Sequence, residues 1–294
     1  FNRVHFEWKP REDTFDITMQ ARGLRFQPTT NVARMAIVDR RSPVFDYSSG
    51  KGMDRWTVAK WALGKKDGAR WLPVRFPALY AGDVFRTLAR SNGIILPPAG
   101  VMTRLPEARV VASVESAPLN DMLKGMMRYS TNLTAEAAGM AASLSNGVPV
   151  ADLLASGSRM AGWVETALGA RGATLRDHSG LGYGSAIGAR AMAEIVRKRP
   201  SVKGLMRPVN VANADVQVVA KTGTLNFVST LAGFMTMKNG RQATFAIFTA
   251  DTMRRDAIPP EQRERPRGSR SWARRSRNLQ KSLLAAWAGR LNSA

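Results

Sequence analysis

An apolar run that ends in a charged, glycine-containing tetrapeptide most constrains how this chain can fold. The run 216–220 is apolar except for Gln217 and leads into Lys221-Thr222-Gly223-Thr224. Further along, two apolar segments flank Lys238-Asn239-Gly240, and Asn-Gly between apolar runs is a strong hairpin signal. The pattern predicts three consecutive strands, over 215–221, 227–237 and 242–249.

The N-terminal part predicts another group of strands. Apolar and polar residues alternate with period two on both sides of a turn at Pro10–Asp13, which indicates a hairpin, and the strand pattern already includes Phe1. The predicted strands cover 4–8, 15–19 and 32–38. A helix is expected over 78–92, ending before Gly93 as a C-cap.

From about residue 115 the pattern becomes helical. Five residues at helical spacing form one apolar face, namely Leu119, Met122, Leu123, Met126 and Met127. Further helices are predicted over 132–144, 150–169 and 186–198. A C-terminal helix is predicted from the stripe Trp272, Leu279, Leu283, Leu284, Trp287 and Leu291. We therefore expect two domains, 1–114 and 115–294.

Composition excludes several kinds of site. The 294 residues include no cysteine, so disulfides and thiolate sites are excluded, and the two histidines, His5 and His178, are too few for an imidazole-rich metal site. No metal and no cofactor is expected. An uninterrupted apolar run of about 18 residues, long enough to cross a membrane, does not occur in the sequence.

The net charge of +22 favours contact with polyanions. Within 254–290, three acids stand against eleven basic residues: 254, 255, 263, 265, 267, 270, 274, 275, 277, 281 and 290. This segment predicts contact with an anionic membrane surface or an anionic polymer. The alternative is a helix that packs on the sheet through Leu and Trp, with solvated arginines.

The residues after the 216–220 run suit a binding cleft. Lys221 at a strand end would place a cation at the rim, Thr222 and Thr224 would add hydroxyl donors, and Gly223 would leave room for an extended peptide backbone. The alternative is a strand end that contains glycine and an incidental lysine.

A second candidate element is Ser130-Thr131-Asn132, which opens a predicted helix. In a site, Ser130 could relay a proton and Asn132 could bind a substrate amide. The alternative is an N-cap, where Ser and Asn are favoured, and the two roles are compatible.

Asp177-His178-Ser179-Gly180-Leu181-Gly182 is interpreted as a capped loop, with a structural role for His178. The Ser48-Ser49-Gly50-Lys51 tetrapeptide fits an S-x-x-K pattern but is interpreted as a surface turn. A nucleophile needs its base on the same rigid helical turn, and two glycines flank this lysine.

Together, the S-x-N and K-T-G boxes resemble those of the penicillin-recognising acyl-serine enzymes. The fuller resemblance is to the type-4 penicillin-binding proteins, D-alanyl-D-alanine carboxypeptidases/endopeptidases of the periplasm. Trp71–Gly82 resembles a segment of that family's inserted domain, and Ala220–Leu225 fits its K-T-G segment. Asp177–Gly182 resembles its Asp-Gly-Ser-Gly-Leu-Ser motif, with His178 and Gly182 as departures.

The resemblance implies an α+β fold. Residues 115–294 would form most of a β-lactamase/transpeptidase-like domain, with an antiparallel sheet and a helical subdomain, and 1–114 would be the remainder of a β-rich inserted domain. It also implies peptidoglycan stem peptides and β-lactams as ligands, and the periplasm as the location.

The mechanism that the resemblance implies is covalent. A serine upstream of Phe1, in S-x-x-K, would attack the penultimate D-Ala carbonyl, with the upstream lysine as its base. Ser130, Asn132 and Lys221 would complete the proton network, while Thr222 and Thr224 would bind the terminal carboxylate. The Thr224 N–H would supply one half of the oxyanion hole.

Two other classes of function are considered. The chain could belong to a catalytically silent protein of this fold that binds cell-wall peptide or a partner, because its own residues include no convincing nucleophile. The net charge could indicate nucleic-acid binding instead, but no recognition module is visible, so no specific nucleic-acid partner is predicted.

Overall fold

The structure, a computed structural model, describes residues 3–23, 25–104, 106–145, 147, 149–212, 214–264 and 266–293. These residues form two compact units. The first contains the described residues up to 112 together with 259–264, and the second contains 113–258 together with the residues after 265. The sequence patterns did not predict that residues 259–264 belong to the first unit.

The first unit is rich in strands. Its elements are β1 (Arg3–Pro10), β2 (Phe15–Gln20), β3 (Ala33–Val38), β4 (Phe45–Gly50), β5 (Met53–Ala59), β6 (Gly68–Pro73) and α1 (Pro77–Ser91). One three-stranded sheet has the order β2-β1-β6, and the other has the order β3-β5-β4. Val4, Phe6 and Val58 are fully buried in the core between these elements.

The predicted hairpin is confirmed, because β1 pairs with β2 in antiparallel register, Phe6 opposite Met19. Phe1 lies outside the described residues. β5 and β6 were missed. The parallel pairing of β3 with β5 joins strands that are not consecutive along the chain, and local alternation carries no signal for that.

The second unit combines helices with one sheet. Its elements are α2 (Leu119–Tyr129), α3 (Asn132–Ser145), α4 (Leu153–Leu168), α5 (Ala189–Lys198), β7 (Arg207–Pro208), β8 (Val216–Leu225), β9 (Val228–Met237), β10 (Gln242–Ala250), α6 (Thr252–Asp256) and α7 (Ser269–Ser293). The sheet is antiparallel, with the order β10-β9-β8-β7. The three predicted strands and the predicted helices are confirmed, with ends shifted by a few residues.

Helices cover both faces of this sheet. Because side chains alternate along a strand, Val218 and Ala220 of β8 pack with Leu284 of α7, while Val219 packs on the other face with Val196 of α5. The arrangement confirms the predicted α+β fold with a β-rich part.

The predicted stripe on α7 is partly wrong. Leu284 is fully buried, but Leu279 is 50% exposed, and Ser276 and Gln280 are buried in its place. Gln280 is inside because its amide donates to the carbonyl and hydroxyl oxygens of Ser229, both at 3.1 Å. A buried polar group with partners can occupy a core position, which hydrophobic periodicity does not reveal.

The predicted apolar face of α2 is present but is not buried in the structure. None of the eleven residues of this helix is buried, and Leu119 is 63% exposed. The periodicity therefore predicted the helix correctly, but it did not predict whether the apolar face of the helix is buried, because burial depends on how the helix packs.

Within the described residues, no helix is long and apolar enough to cross a membrane.

Candidate active site

The outer edge of β8 is free where the K-T-G box lies. β7 pairs only with Val219 and Ala220. The N–H of Val209, just after β7, donates to the Val218 carbonyl at 2.9 Å, so main-chain groups at even positions of β8 point towards the outer edge. Beyond β7, the N–H and C=O of Thr222 and Thr224 therefore face outwards, with no strand of the described chain beside them.

Lys221 lies at this edge and connects it to the helices. Its Nζ donates to Ser130 Oγ and, at 2.6 Å, to the carbonyl oxygen of Thr222. Burial, and secondarily the nearby positive charge of Arg207, lower the pKa of Lys221. A lysine with a lowered pKa beside a hydroxyl is suited to move a proton to or from that hydroxyl.

Ser130 ends α2 in a left-handed conformation, with φ of 51°. The interpretation of Ser130 as an N-cap was wrong, because this residue is the C-cap of the preceding helix and its N–H donates to the Met126 carbonyl. For a non-glycine residue the left-handed region costs roughly 1–2 kcal/mol. Strain of this kind clusters at functional sites, and here it accompanies a side chain directed at Lys221.

Asn132 is the first residue of α3, two positions after Ser130. Its side chain is exposed. One turn later on the same helix, Glu136 accepts hydrogen bonds from the N–H groups of His178 (3.0 Å) and Ser179 (3.1 Å). The S-x-N segment is thereby joined to the 177–182 loop through α3.

The three residues after Lys221 differ in what they present. The alternation of β8 directs the Thr222 and Thr224 side chains, both exposed, to the opposite face from Lys221, so their main-chain groups are what faces the free edge. A Cβ on Gly223 would overlap the hydroxyl of Thr230, its cross-strand neighbour on β9. Packing against Thr230 therefore explains why glycine occupies position 223, independently of any ligand.

The 177–182 loop is organised by a carboxylate, as the capped-loop interpretation predicted. Asp177 accepts from the N–H of Gly180 at 2.9 Å and from the N–H of Gly182 at 2.5 Å. Gly180 has φ of 72°, which glycine adopts without strain. This structural role of the loop is confirmed.

His178 belongs to a buried polar cluster, which confirms its structural role. Its Nε2 is 2.8 Å from Ser156 Oγ, which is 2.6 Å from Ser143 Oγ. Ser156 is fully buried. The imidazole lies against Gly139 of α3 so closely that a Cβ there would overlap the ring. The cluster joins α3, α4 and the loop.

Two residues near the site were missed by sequence reasoning. Glu136 could have been found, since a carboxylate four positions after Asn132 lies on the same face of a helix. Arg207 carries no such signal, because only the pairing of β7 with β8 brings it near Lys221.

The formal S-x-x-K match does not form a site. Ser48, Ser49 and Gly50 end β4, and Lys51 follows in the turn to β5 with φ of 52°. The surface-turn interpretation is confirmed. Among the described residues, no group of three or more His, Asp or Glu side chains could hold a metal ion.

Comparison with known proteins identifies the family of this chain. The sequence profile of the D-Ala-D-Ala carboxypeptidase 3 (S13) family matches residues 63–205 and 201–266. The chain is 27% identical over 214 residues to carboxypeptidase DacB of Mycolicibacterium smegmatis, covering 62% of this chain and 46% of that protein. It is 28% identical over 202 residues to carboxypeptidase Rv3627c of Mycobacterium tuberculosis, covering 60% and 42%.

The fold is also found in a crystal structure of penicillin binding protein 4 from Haemophilus influenzae. The TM-score is 0.66 at 19% sequence identity, covering 96% of this chain and 66% of that one. The chain spans less than half the length of the two curated relatives. The family profile covers Ser130, Asn132 and the K-T-G strand, and in the structure Lys221 Nζ donates to Ser130 Oγ. The chain belongs to the D-Ala-D-Ala carboxypeptidase 3 (S13) family, and the predicted kinship with type-4 penicillin-binding proteins is confirmed.

Proposed function

We propose that the protein carrying this chain is a serine-type D-alanyl-D-alanine carboxypeptidase that acts on peptidoglycan stem peptides and is acylated by β-lactams. The observation that carries the proposal is the contact of Lys221 Nζ with Ser130 Oγ beside a free strand edge, in a chain of the S13 family. Hydrolysis of a D-Ala-containing cross-link, the endopeptidase reaction, would use the same edge. The periplasm is the proposed location, since the substrate lies in the cell envelope.

The free edge of β8 suits an extended peptide. A stem peptide laid antiparallel to residues 222–224 would pair with the outward main-chain groups, as in β-strand addition. The N–H of Thr224 points outwards from this edge and is the proposed donor to the developing oxyanion. The Thr222 and Thr224 hydroxyls are proposed to bind the terminal carboxylate of the peptide.

Proton movement is assigned to the pair of Lys221 and Ser130. In the acylation step the nucleophilic serine gives its hydroxyl proton to the upstream lysine of S-x-x-K and bonds to the penultimate D-Ala carbonyl carbon, and the peptide bond to the terminal D-Ala breaks. The leaving amine must gain a proton, which Ser130 donates while it takes one from Lys221. Asn132 is proposed to hold the substrate amide. Water then hydrolyses the acyl-enzyme and regenerates the serine.

The nucleophile is expected in a segment upstream of Phe1. The test is to incubate the full-length protein with penicillin and to determine its intact mass and the modified peptide. Acylation of a serine upstream of Phe1, together with release of D-Ala from a D-Ala-D-Ala pentapeptide, would support the proposal. Acylation of Ser48 or Ser49 would overturn the assignment of the site.

If the full-length protein shows neither an adduct nor D-Ala release, the proposal is wrong. Saturable binding of the pentapeptide without hydrolysis would then support the silent, peptide-binding alternative. In that case Ser130 and Lys221 would position a ligand and would move no proton.

A further inference from the structure

One face of α7 carries four cations in a line. Arg270, Arg274, Arg277 and Lys281 are spaced by four, three and four residues, which places them on the same side of a helix. We call them the α7 basic stripe. All four side chains are exposed, and at a rise of 1.5 Å per residue the stripe is about 16 Å long.

The stripe has no acidic partners. The sequence of α7, Ser269–Ser293, contains neither Asp nor Glu, and no side chain of the stripe forms an ion pair or hydrogen bond with another described residue. Elsewhere the chain does pair its cations: Arg70 contacts Glu264, and Arg197 lies 2.7 Å from Glu194. Four unpaired cations in a line repel one another, and an external anion would relieve that repulsion.

Contacts of α7 show which end of the sheet lies beside the start of the α7 basic stripe. Near its start, Ser269 Oγ donates to Asn226 Oδ1 at 3.2 Å, and Gln280 binds Ser229, which lies opposite Thr224. The first half of α7 therefore lies at the end of the sheet where the K-T-G box ends.

The stripe also lies on one definite side of the helix. Lys281 lines a shallow cavity together with Val211, which follows β7 along the outer edge of β8. The stripe is thus on the side of α7 nearest the free strand edge.

We propose that the α7 basic stripe binds a linear phosphodiester polymer of the cell wall and holds it alongside the edge of β8. A line of single charges matches a chain of evenly spaced phosphates. The binding itself does not depend on the proposed hydrolysis, so it can fail or succeed independently of that function.

Neither a membrane nor a nucleic acid explains the stripe as well. An interfacial helix inserts its apolar face into the bilayer, but Leu284 and Ala288 of α7 are buried against the sheet, and the exposed Leu279 lies on the opposite side from Arg270. Binding of single-stranded nucleic acid uses exposed aromatic rings as stacking platforms. The two tryptophans of α7 are instead partly buried, Trp272 against Phe227 and Trp287 against the sheet core.

The test measures binding of synthetic poly(glycerol phosphate) by the chain at several salt concentrations. One variant replaces the four stripe residues with Gln. A matched control removes four exposed charges elsewhere, by replacing Arg275, Arg290, Lys65 and Lys66 with Gln. A third variant, with Arg270, Arg274 and Arg277 changed to Lys, retains the charge of the stripe.

Each neutralised phosphate of a flexible chain contributes roughly 0.7 to the slope of log K against log salt. We therefore expect the magnitude of this slope to be about three smaller for the stripe variant than for the unmodified chain. The control should change the slope by less than one unit, and the Lys variant should resemble the unmodified chain. Thermal unfolding of each variant verifies that the exposed replacements leave the fold intact.

Several outcomes would overturn the proposal. They are a lack of binding at 50 mM salt, equal losses in the stripe variant and the control, and failure of the Lys variant to retain binding. Parallel measurements use anionic phospholipid vesicles and duplex DNA at matched phosphate concentration. If removal of the stripe weakens vesicle or DNA binding more than polymer binding, the surface belongs to a membrane or to nucleic acid instead.

Discussion

Two pairs of a hydroxyl and a nitrogen base lie in the second unit, and they differ in what surrounds them. At the K-T-G edge, Lys221 meets the exposed Ser130 beside main-chain groups that no described strand covers. In the cluster behind the 177–182 loop, His178 meets the fully buried Ser156, which in turn meets Ser143. The first pair lies at an open strand edge, whereas the second is enclosed by its own partners.

Residue types alone therefore do not identify a site. A serine beside a histidine is the better-known catalytic pair, yet here it joins two helices and a loop. A serine beside a lysine, at a strained C-cap and an open strand edge, has the access and the lowered pKa that chemistry needs. Variants of each pair can test whether the exposed pair serves activity and the enclosed pair serves stability.

The largest effect is expected from Lys221→Met in the full-length protein. Removal of the proton carrier should lower kcat/KM for D-Ala release by about 10²- to 10⁴-fold. The matched control is Lys238→Met, which removes an exposed cation from the turn between β9 and β10. Steady-state kinetics with a D-Ala-D-Ala pentapeptide measure both, and equal activities of the two variants would refute the role of Lys221.

Ser130→Gly should separate activity from stability. Loss of the hydroxyl should lower kcat/KM by about 100-fold. Relief of the left-handed φ should leave the free energy of unfolding unchanged or raise it by up to about 1 kcal/mol. Ser130→Ala, which keeps the Cβ, should lose activity without that gain. Urea unfolding and kinetics on both variants provide the measurement, and a fully active glycine variant would contradict the assignment.

Ser156→Ala should show the opposite behaviour. It leaves His178 Nε2 and Ser143 Oγ each without this partner, so the free energy of unfolding should fall by about 1–3 kcal/mol. Ser145→Ala, near the exposed end of α3, should change it by less than about 0.5 kcal/mol. Urea denaturation compares the two, and a larger loss of activity per folded molecule than of stability would make the buried cluster part of the site.

A glycine pair tests how tightly His178 is held. Gly139→Ala should destabilise the fold by about 1–3 kcal/mol because its Cβ overlaps the imidazole. Gly162→Ala on α4 meets nothing within 4 Å and should stabilise it by roughly 0.5–1 kcal/mol. In Gly139→Ala/His178→Gly the overlap is gone. A double-mutant cycle by urea unfolding that finds the two changes additive would show that the ring does not press on Gly139.

The smallest effect is expected from Arg207→Gln. Loss of this positive charge should move the pKa of Lys221 upwards, towards its ordinary value, while burial continues to hold it lower. NMR titration of the lysine Cε resonances measures the change. Arg241→Gln, at the distant β9–β10 turn, is the control, and an equal shift in both would rule out a specific effect of Arg207.

The same pKa carries a linkage prediction. Because the pKa of Lys221 is lower in the folded chain than in the unfolded one, the unfolded chain binds more protons between the two values. The free energy of unfolding gained from this group should therefore rise with pH across that interval. Arg207→Gln should narrow the interval, and Lys221→Met should abolish this contribution.

Much of the molecule could be predicted from local patterns. The Asn-Gly turn between apolar runs fixed the β9–β10 hairpin, because turn chemistry and period-two alternation act over a few residues. Helical spacing predicted α2 and α7 for the same reason. The S-x-N and K-T-G boxes predicted the candidate residues of the site, since each box is a short segment that can be recognised from residue types a few positions apart.

The features that local patterns did not predict involve contacts between distant segments. The parallel pairing of β3 with β5, the burial of Gln280 over Leu279, and the approach of Arg207 to Lys221 all depend on which elements pack together. Local patterns predicted most of the strands and helices and the boxes that they contain, because turn chemistry and side-chain periodicity act over a few residues. Packing alone decided that the pair of Lys221 and Ser130 faces an open edge while His178 and Ser156 are enclosed, because exposure depends on all the surrounding chain at once.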